Sequence, residues 1–152
     1  MRKYLENLIK CKDKKLNSIK EFYKQSTKYL NYKIGVGSGL ISGGIVSHIN
    51  SEYGILSASG ACGKQFLYNV FFTGINLKTC KKISEKIKST PTSLVCSTII
   101  PTAQAFAITY GIHKYGGTPE AFDSSIWQVY VNAPIFFGFG LYYRGKSKKS
   151  NQ

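Results

Sequence analysis

The sequence predicts an all-α integral membrane protein: four transmembrane helices, both termini in the cytoplasm, and a basic amphipathic helix ahead of the first span. Three observations carry this. Nineteen of the 21 Lys and Arg residues fall in three blocks, ten in 1–33, five in Lys78–Lys88 and four in Arg144–Lys149. Residues 89–113 and 124–143 hold no charged side chain other than the border His113, and a helix needs about 20 apolar residues to cross about 30 Å of hydrocarbon. The two segments expected to face outward carry one basic residue, Lys114, against Glu52, Glu120 and Asp123. Basic residues concentrate on the cytoplasmic side of a membrane, so this asymmetry sets the orientation.

A net charge of +14 on 152 residues ordinarily suggests a nucleic-acid partner. Segregation of the charge argues against one, because a nucleic-acid binder mixes its basic residues into the fold that presents them. No nucleic-acid partner is therefore expected. The partners expected instead are the lipid bilayer, anionic at its cytoplasmic face, and a second copy or another membrane protein.

Residues 1–33 form the first segment, a basic arm. Leu5, Leu8, Ile9, Leu16, Ile19, Phe22 and Tyr23 recur at spacings of three and four among lysines. Such a helix suits an anionic membrane surface, where each Lys contributes about 1 kcal/mol. A solvated cytoplasmic tail or a helix packed on a partner fits the same pattern.

The transmembrane domain is expected over 34–143, with spans at about 34–49, 57–77, 91–112 and 124–143, and a basic tail over 144–152. In the first span Gly35, Gly39, Gly43 and Ser47 recur every four residues. Small residues at that period make a flat face on which another helix backbone packs closely. Gly54, Ala58 and Cys62 offer the second span a matching small-residue row. The third span begins at Pro91, tolerated in a first turn, and contains Pro101 at its middle; the fourth contains Pro134. Trp127 and Tyr130 towards one end of that span, and Tyr142 and Tyr143 at the other, fit interfacial aromatic belts.

Lys64 is the one basic residue placed inside a span. A lysine at the bilayer centre costs about 2.5–3.5 kcal/mol, so an intramembrane lysine marks a functional candidate. A lysine one turn from the surface instead extends its amine out to water. Gln65, Asn69, Gln104 and Asn132 are the other polar intramembrane candidates, with Gln128 beside them. A second set gathers at the outer ends of the helices: His48, Glu52, His113, Glu120 and Asp123. Two imidazoles and three carboxylates could hold a divalent metal or sense protons. Their spacing matches no metal motif, so no metal and no cofactor is expected. Cys11, Cys62, Cys80 and Cys96 match neither a zinc site nor a paired framework and read as free thiols.

The loop His113-Lys-Tyr-Gly-Gly-Thr-Pro-Glu120 reads as a tight turn followed by a helix start, with Thr118 as cap and Pro119 in the first turn. Lys64-Gln65, this loop, the serines that follow it and Pro134 together resemble small, uncharacterised bacterial multispan membrane proteins over about residues 34–143. The resemblance implies a bacterial inner-membrane protein and supplies no mechanism.

No phosphate-binding loop and no serine-nucleophile motif is present, which leans against an enzyme. Three activities fit what is left. One is a structural or assembly subunit of a membrane complex. Another is a small channel or transporter component using Lys64 and its polar neighbours. The third is a phage-type pore former.

Overall fold

The structure is a computed structural model that describes residues 31–150 together with Glu21. The basic arm expected over 1–33 lies almost wholly outside the described residues. Among those described, every regular element is helical: α1 (Tyr32–Ile49), a 3-10 turn (Ser51–Tyr53), α2 (Ile55–Lys86), α3 (Thr90–Tyr115) and α4 (Ala121–Ser150). Short connections fold them into an antiparallel bundle. One end, the hairpin end, carries the α1–α2 and α3–α4 loops. The other, the basic end, carries the α2–α3 connection and the last turns of α4.

Small residues set how closely α1 approaches α2. An added Cβ at Gly35 would lie 2.8 Å from Asn69 O and 2.9 Å from Val70 Cα. At Gly39 it would meet Phe66 Cδ2 at 2.9 Å, and at Gly43 Cys62 Sγ at 3.1 Å. Four residues forward on α1 always meet four residues back on α2, the register of two antiparallel helices in backbone contact. Gly37 and Gly44, on other faces of α1, have open space beside them. A comparable approach brings α4 onto α3, where a Cβ on Gly140 would meet Ser97 Oγ at 2.6 Å.

The helices run beyond the expected spans. At 32 residues, α2 is about 48 Å long and carries Lys78, Lys81, Lys82 and Lys86 on its last turns. Likewise α4 continues through Arg144 and Lys146. Arg144 fastens this basic end: its Nη1 donates to Ile87 O at 2.7 Å and Ser84 O at 3.3 Å, and its Nη2 donates to Lys88 O. Those carbonyls lie at the C-terminus of α2, where a helix leaves acceptors unpaired and favours a cation. The expected helix start at Thr118 is displaced. The helix begins at Ala121, with Glu120 O accepting from Ser124 N at 2.9 Å, because the Thr118 hydroxyl is engaged elsewhere.

What lies inside and outside is reversed from a water-soluble bundle. Among the described residues fourteen polar side chains are buried against eight apolar ones. Twenty large apolar side chains are exposed, Ile41 at 71% and Leu56 at 86% among them. The apolar interior is one small cluster, Leu77, Cys80 and Phe136 with Phe139 against it. One described helix, α3, is long and apolar enough to cross a membrane by length and composition. Glycine, serine and amide side chains dilute the hydropathy of α1, α2 and α4, so the expectation of four spans reaches one such helix here.

Candidate functional site

A polar column runs through the bundle from the hairpin end towards the Leu77–Phe136 cluster. Its top is built on Lys64 and Gln65 of α2 and the loop after α3. Lys64 is half-buried, and its Nζ donates to Gly116 O at 2.5 Å and Thr118 Oγ1 at 2.9 Å. His113 is fully buried, with Nδ1 3.0 Å from Thr118 Oγ1 and Nε2 3.1 Å from Gln65 Oε1.

One proton arrangement satisfies these contacts together. The Gln65 carbonyl oxygen only accepts, so His113 Nε2 carries the hydrogen and Nδ1 is an acceptor. Thr118 O–H then donates to Nδ1, leaving its lone pairs for the Lys64 ammonium. The chain of donation runs Lys64, Thr118, His113, Gln65, around a neutral imidazole. Gln65 Nε2 is left buried without a partner among the described residues.

The loop is shaped to admit this lysine. Gly117 has φ +68°, a left-handed conformation open to glycine. Gly116 lies under the Lys64 chain, where an added Cβ would sit 2.8 Å from Lys64 Cε and 2.6 Å from Ile112 O. Thr118 N–H returns to His113 O at 2.9 Å and closes the turn.

Asn50 ties the two hairpin loops to each other. Fully buried, it donates from Nδ2 to Ser124 Oγ at 2.8 Å and Val46 O at 2.9 Å, and accepts from Glu120 N at 3.2 Å. Above it the Tyr53 hydroxyl donates to the Glu120 carboxylate, and that bond, with the carboxylate's charge, pushes the Tyr53 pKa up.

Further down, Asn69 Nδ2 donates to Ser42 Oγ at 3.0 Å and to Gln65 O at 3.0 Å. Asn76 Nδ2 donates to the Tyr68 hydroxyl at 2.9 Å, and Asn132 Nδ2 to Gln128 Oε1 at 2.9 Å. These side chains surround a cavity of about 80 Å³ between α1, α2 and α4, with Leu77, Phe136 and Phe139 among its apolar lining. Asn76 Oδ1 and Gln128 Nε2 are buried with no hydrogen-bond partner among the described residues.

Of the polar residues singled out from sequence, Lys64 and Gln65 meet at the top of the column, and Asn69 and Asn132 line the cavity. Gln104 is half-buried on α3, outside the cavity's lining. The outer-face set does not converge. His48, Glu52 and Asp123 are exposed, Glu120 pairs with Tyr53, and His113 is buried beneath the loop. Among the described residues no three His, Cys, Asp or Glu side chains group to hold a metal. Ser47 is half-buried on α1. Cys62, Cys80 and Cys96 are free thiols.

The sequence marks neither Asn50 nor Asn76 as a site residue, and it gives Thr118 the features of a helix cap. An asparagine next to Ser-Glu-Tyr looks like a solvated turn, and nothing in its sequence neighbourhood shows that Ser124 and the Glu120 amide close over it. Comparison with known proteins adds no relative: no family model, no curated protein and no solved structure matches this chain.

Proposed function

We propose that this chain is a four-span integral membrane protein with both termini in the cytoplasm, and that it serves as a structural subunit of a membrane assembly. The bacterial inner membrane is the location that accords with the resemblance of its sequence. The reversed distribution of side chains carries this reading. A bundle whose described residues bury fourteen polar side chains and expose twenty large apolar ones gains little from folding in water, where apolar burial is the main driving term. In hydrocarbon the same arrangement is favourable, because lipid replaces the apolar core and polar groups find partners only inside.

Two further features accord with it. No Lys, Arg, Asp or Glu occurs in 34–49, 65–77, 89–113 or 124–143, so charge is confined to the two ends and Lys64. An apolar groove of about 360 Å³ lies between α3 and α4, lined by residues such as Ile99, Phe106 and Val129. It suits an acyl chain or a neighbouring helix.

The test is alkaline extraction of membranes containing the full chain, followed by native mass measurement in detergent. This reading expects the chain to stay in the membrane pellet and to be recovered at more than the 16.9 kDa of one copy. Release into the supernatant would remove the membrane claim. Retention as a single 16.9 kDa species would remove the assembly claim alone.

A second reading, a small channel or transporter component, is favoured by the cavity between α1, α2 and α4, whose lining includes Ser42, Asn69, Asn76, Gln128 and Asn132. Lys64 contributes little to it, since its amine is held by the loop and does not line that cavity.

A further inference from the structure

The lysines on the last turns of α2 share one face. Lys78, Lys81, Lys82 and Lys86 recur at intervals of three and four, turned away from the buried side formed by Leu77, Cys80 and Ser84. Lys82 and Lys86 are exposed, and so are Lys88 just past the helix and Lys146 on α4. Glu85 is the one carboxylate among them, 3.9 Å from the Lys81 amine. Arg144 caps the carbonyls of Ser84, Ile87 and Lys88, so the cation demanded by the end of α2 is not drawn from this stripe.

Depth decides what this face meets. In the proposed span α2 leaves the hydrocarbon near Leu77, and a headgroup layer about 5–8 Å thick follows. The rise of the helix puts Lys78, Lys81 and Lys82 about 2–8 Å beyond Leu77. Helix side chains tilt towards the N-terminus, so Lys86, one turn further on, leans back towards the same layer. Two tyrosines of α4 mark that level. Tyr142 is 61% exposed, its ring centroid lies 5.3 Å from that of Tyr143, and the Lys81 amine lies 6.0 Å from the Tyr143 ring. Tyrosine concentrates at the headgroup boundary, where its ring is in apolar surroundings and its hydroxyl in water. At the hairpin end the balance is the opposite: among the described residues Glu52 and Asp123 are exposed against Lys114.

We infer that this face is a docking surface for phospholipids of net negative charge, their phosphate groups seated along the lysine stripe beside Tyr142. Charge complementarity selects them. A zwitterionic headgroup brings its own cation next to the phosphate, and the stripe repels it; a net anionic headgroup does not. Each lysine near an anionic surface contributes about a fivefold preference, and Glu85 offsets part of that at Lys81. An acidic protein would have to reach amines that lie at headgroup level with lipid around them, so the bilayer itself is the occupant. This assignment rests on the membrane reading and is independent of the assembly reading.

The test uses the full-length chain carrying Trp127→Phe, which removes its one tryptophan, and Tyr142→Trp. It is placed in bilayers mixed from phosphatidylcholine and phosphatidylglycerol, one of the two brominated near the headgroup end of its acyl chains. Bromine quenches a tryptophan beside it, so the reporter at 142 reads which lipid adjoins the stripe. Phosphatidylglycerol is expected to bind there about fivefold more strongly than phosphatidylcholine. The triple variant Lys81→Gln/Lys82→Gln/Lys86→Gln should bring that ratio close to unity, and Lys114→Gln at the hairpin end should leave it unchanged. In about 1 M salt, where the Debye length is about 3 Å, the preference should fade as well. Equal binding of both lipids, an unchanged ratio in the triple variant, or an equal loss in Lys114→Gln would overturn the assignment. Binding of polyglutamate with no lipid preference would overturn it too, by giving the stripe to an acidic protein. Should the triple variant fail to insert, the salt titration decides: a ratio that fades supports the surface, and one insensitive to salt refutes it. Release of the parent chain in alkaline extraction is a separate outcome, which removes the membrane reading and this assignment with it.

Discussion

Lys64 reaches from α2 to Thr118, placing its ammonium 2.9 Å from a hydroxyl 54 positions further along the chain. The same hydroxyl lies 3.0 Å from His113 Nδ1, so a single threonine mediates between a cation and a buried imidazole. The charge is not matched by a carboxylate; among the described residues Lys64 takes a backbone carbonyl and a hydroxyl. Its role is to hold the α3–α4 loop against α2.

Lys64→Met therefore loosens the loop and leaves the helices in place. A hydrogen bond to a charged group contributes about 1.5–3 kcal/mol, so a loss near the lower end is expected for a half-buried amine. Unfolding in mixed micelles measures it, and amide exchange at Thr118 should speed up first. Unchanged stability and exchange would show that the lysine is merely extended to the surface.

Thr118→Val removes the hydroxyl and keeps the shape. Lys64 and His113 Nδ1 both lose a partner, so the substitution should cost more than a typical surface change, about 1–3 kcal/mol. Combining it with Lys64→Met should cost less than the sum of the two, since both act on one contact. Strict additivity in that double-mutant cycle would contradict the shared network.

Glycines of α1 separate by face. Gly35→Ala and Gly39→Ala press a methyl into Val70 or Phe66 and should each cost about 1–3 kcal/mol. Gly37→Ala and Gly44→Ala meet open space and should be neutral or slightly stabilising, because alanine is the better helix former. Thermal unfolding of the four variants gives the comparison. Similar losses at all four positions would reject the assigned α1–α2 face.

Asn50→Leu deletes the tie between the hairpin loops and leaves the Glu120 amide without its side-chain acceptor. A loss of about 1–3 kcal/mol is expected, with faster amide exchange at Glu120 and Ser124 and little change at the basic end. Protection unchanged at Glu120 would contradict this role.

Several parts of this architecture are legible in the sequence, and the reason differs for each. The four-residue period of Gly35, Gly39 and Gly43 is visible because helical faces repeat near that interval, and the same glycines meet α2 backbone or side chains. Lys64 stands out because it breaks a sorting pattern; whether its amine turns inward or to the surface depends on a loop 52 residues away, which no local pattern encodes. Thr118-Pro119 carries the usual features of a helix start, yet tertiary demand on the hydroxyl moves that start to Ala121. Asn50, Asn76 and Ser84 look like ordinary polar positions. All three are buried, and only the packing of the helices turns them inward.

The proposed membrane bundle, with its hairpin end outward and its basic end in the cytoplasm, exposes its two ends to different compartments. Single cysteines at Ser51, Tyr115, Glu85 and Lys146, in a chain whose four native cysteines are replaced by alanine, test it in intact cells with a membrane-impermeant maleimide. Labelling is expected at 51 and 115 in intact cells, and at 85 and 146 only after permeabilisation. Equal labelling of all four positions before permeabilisation, or equal protection of all four until it, would rule out that placement of the bundle.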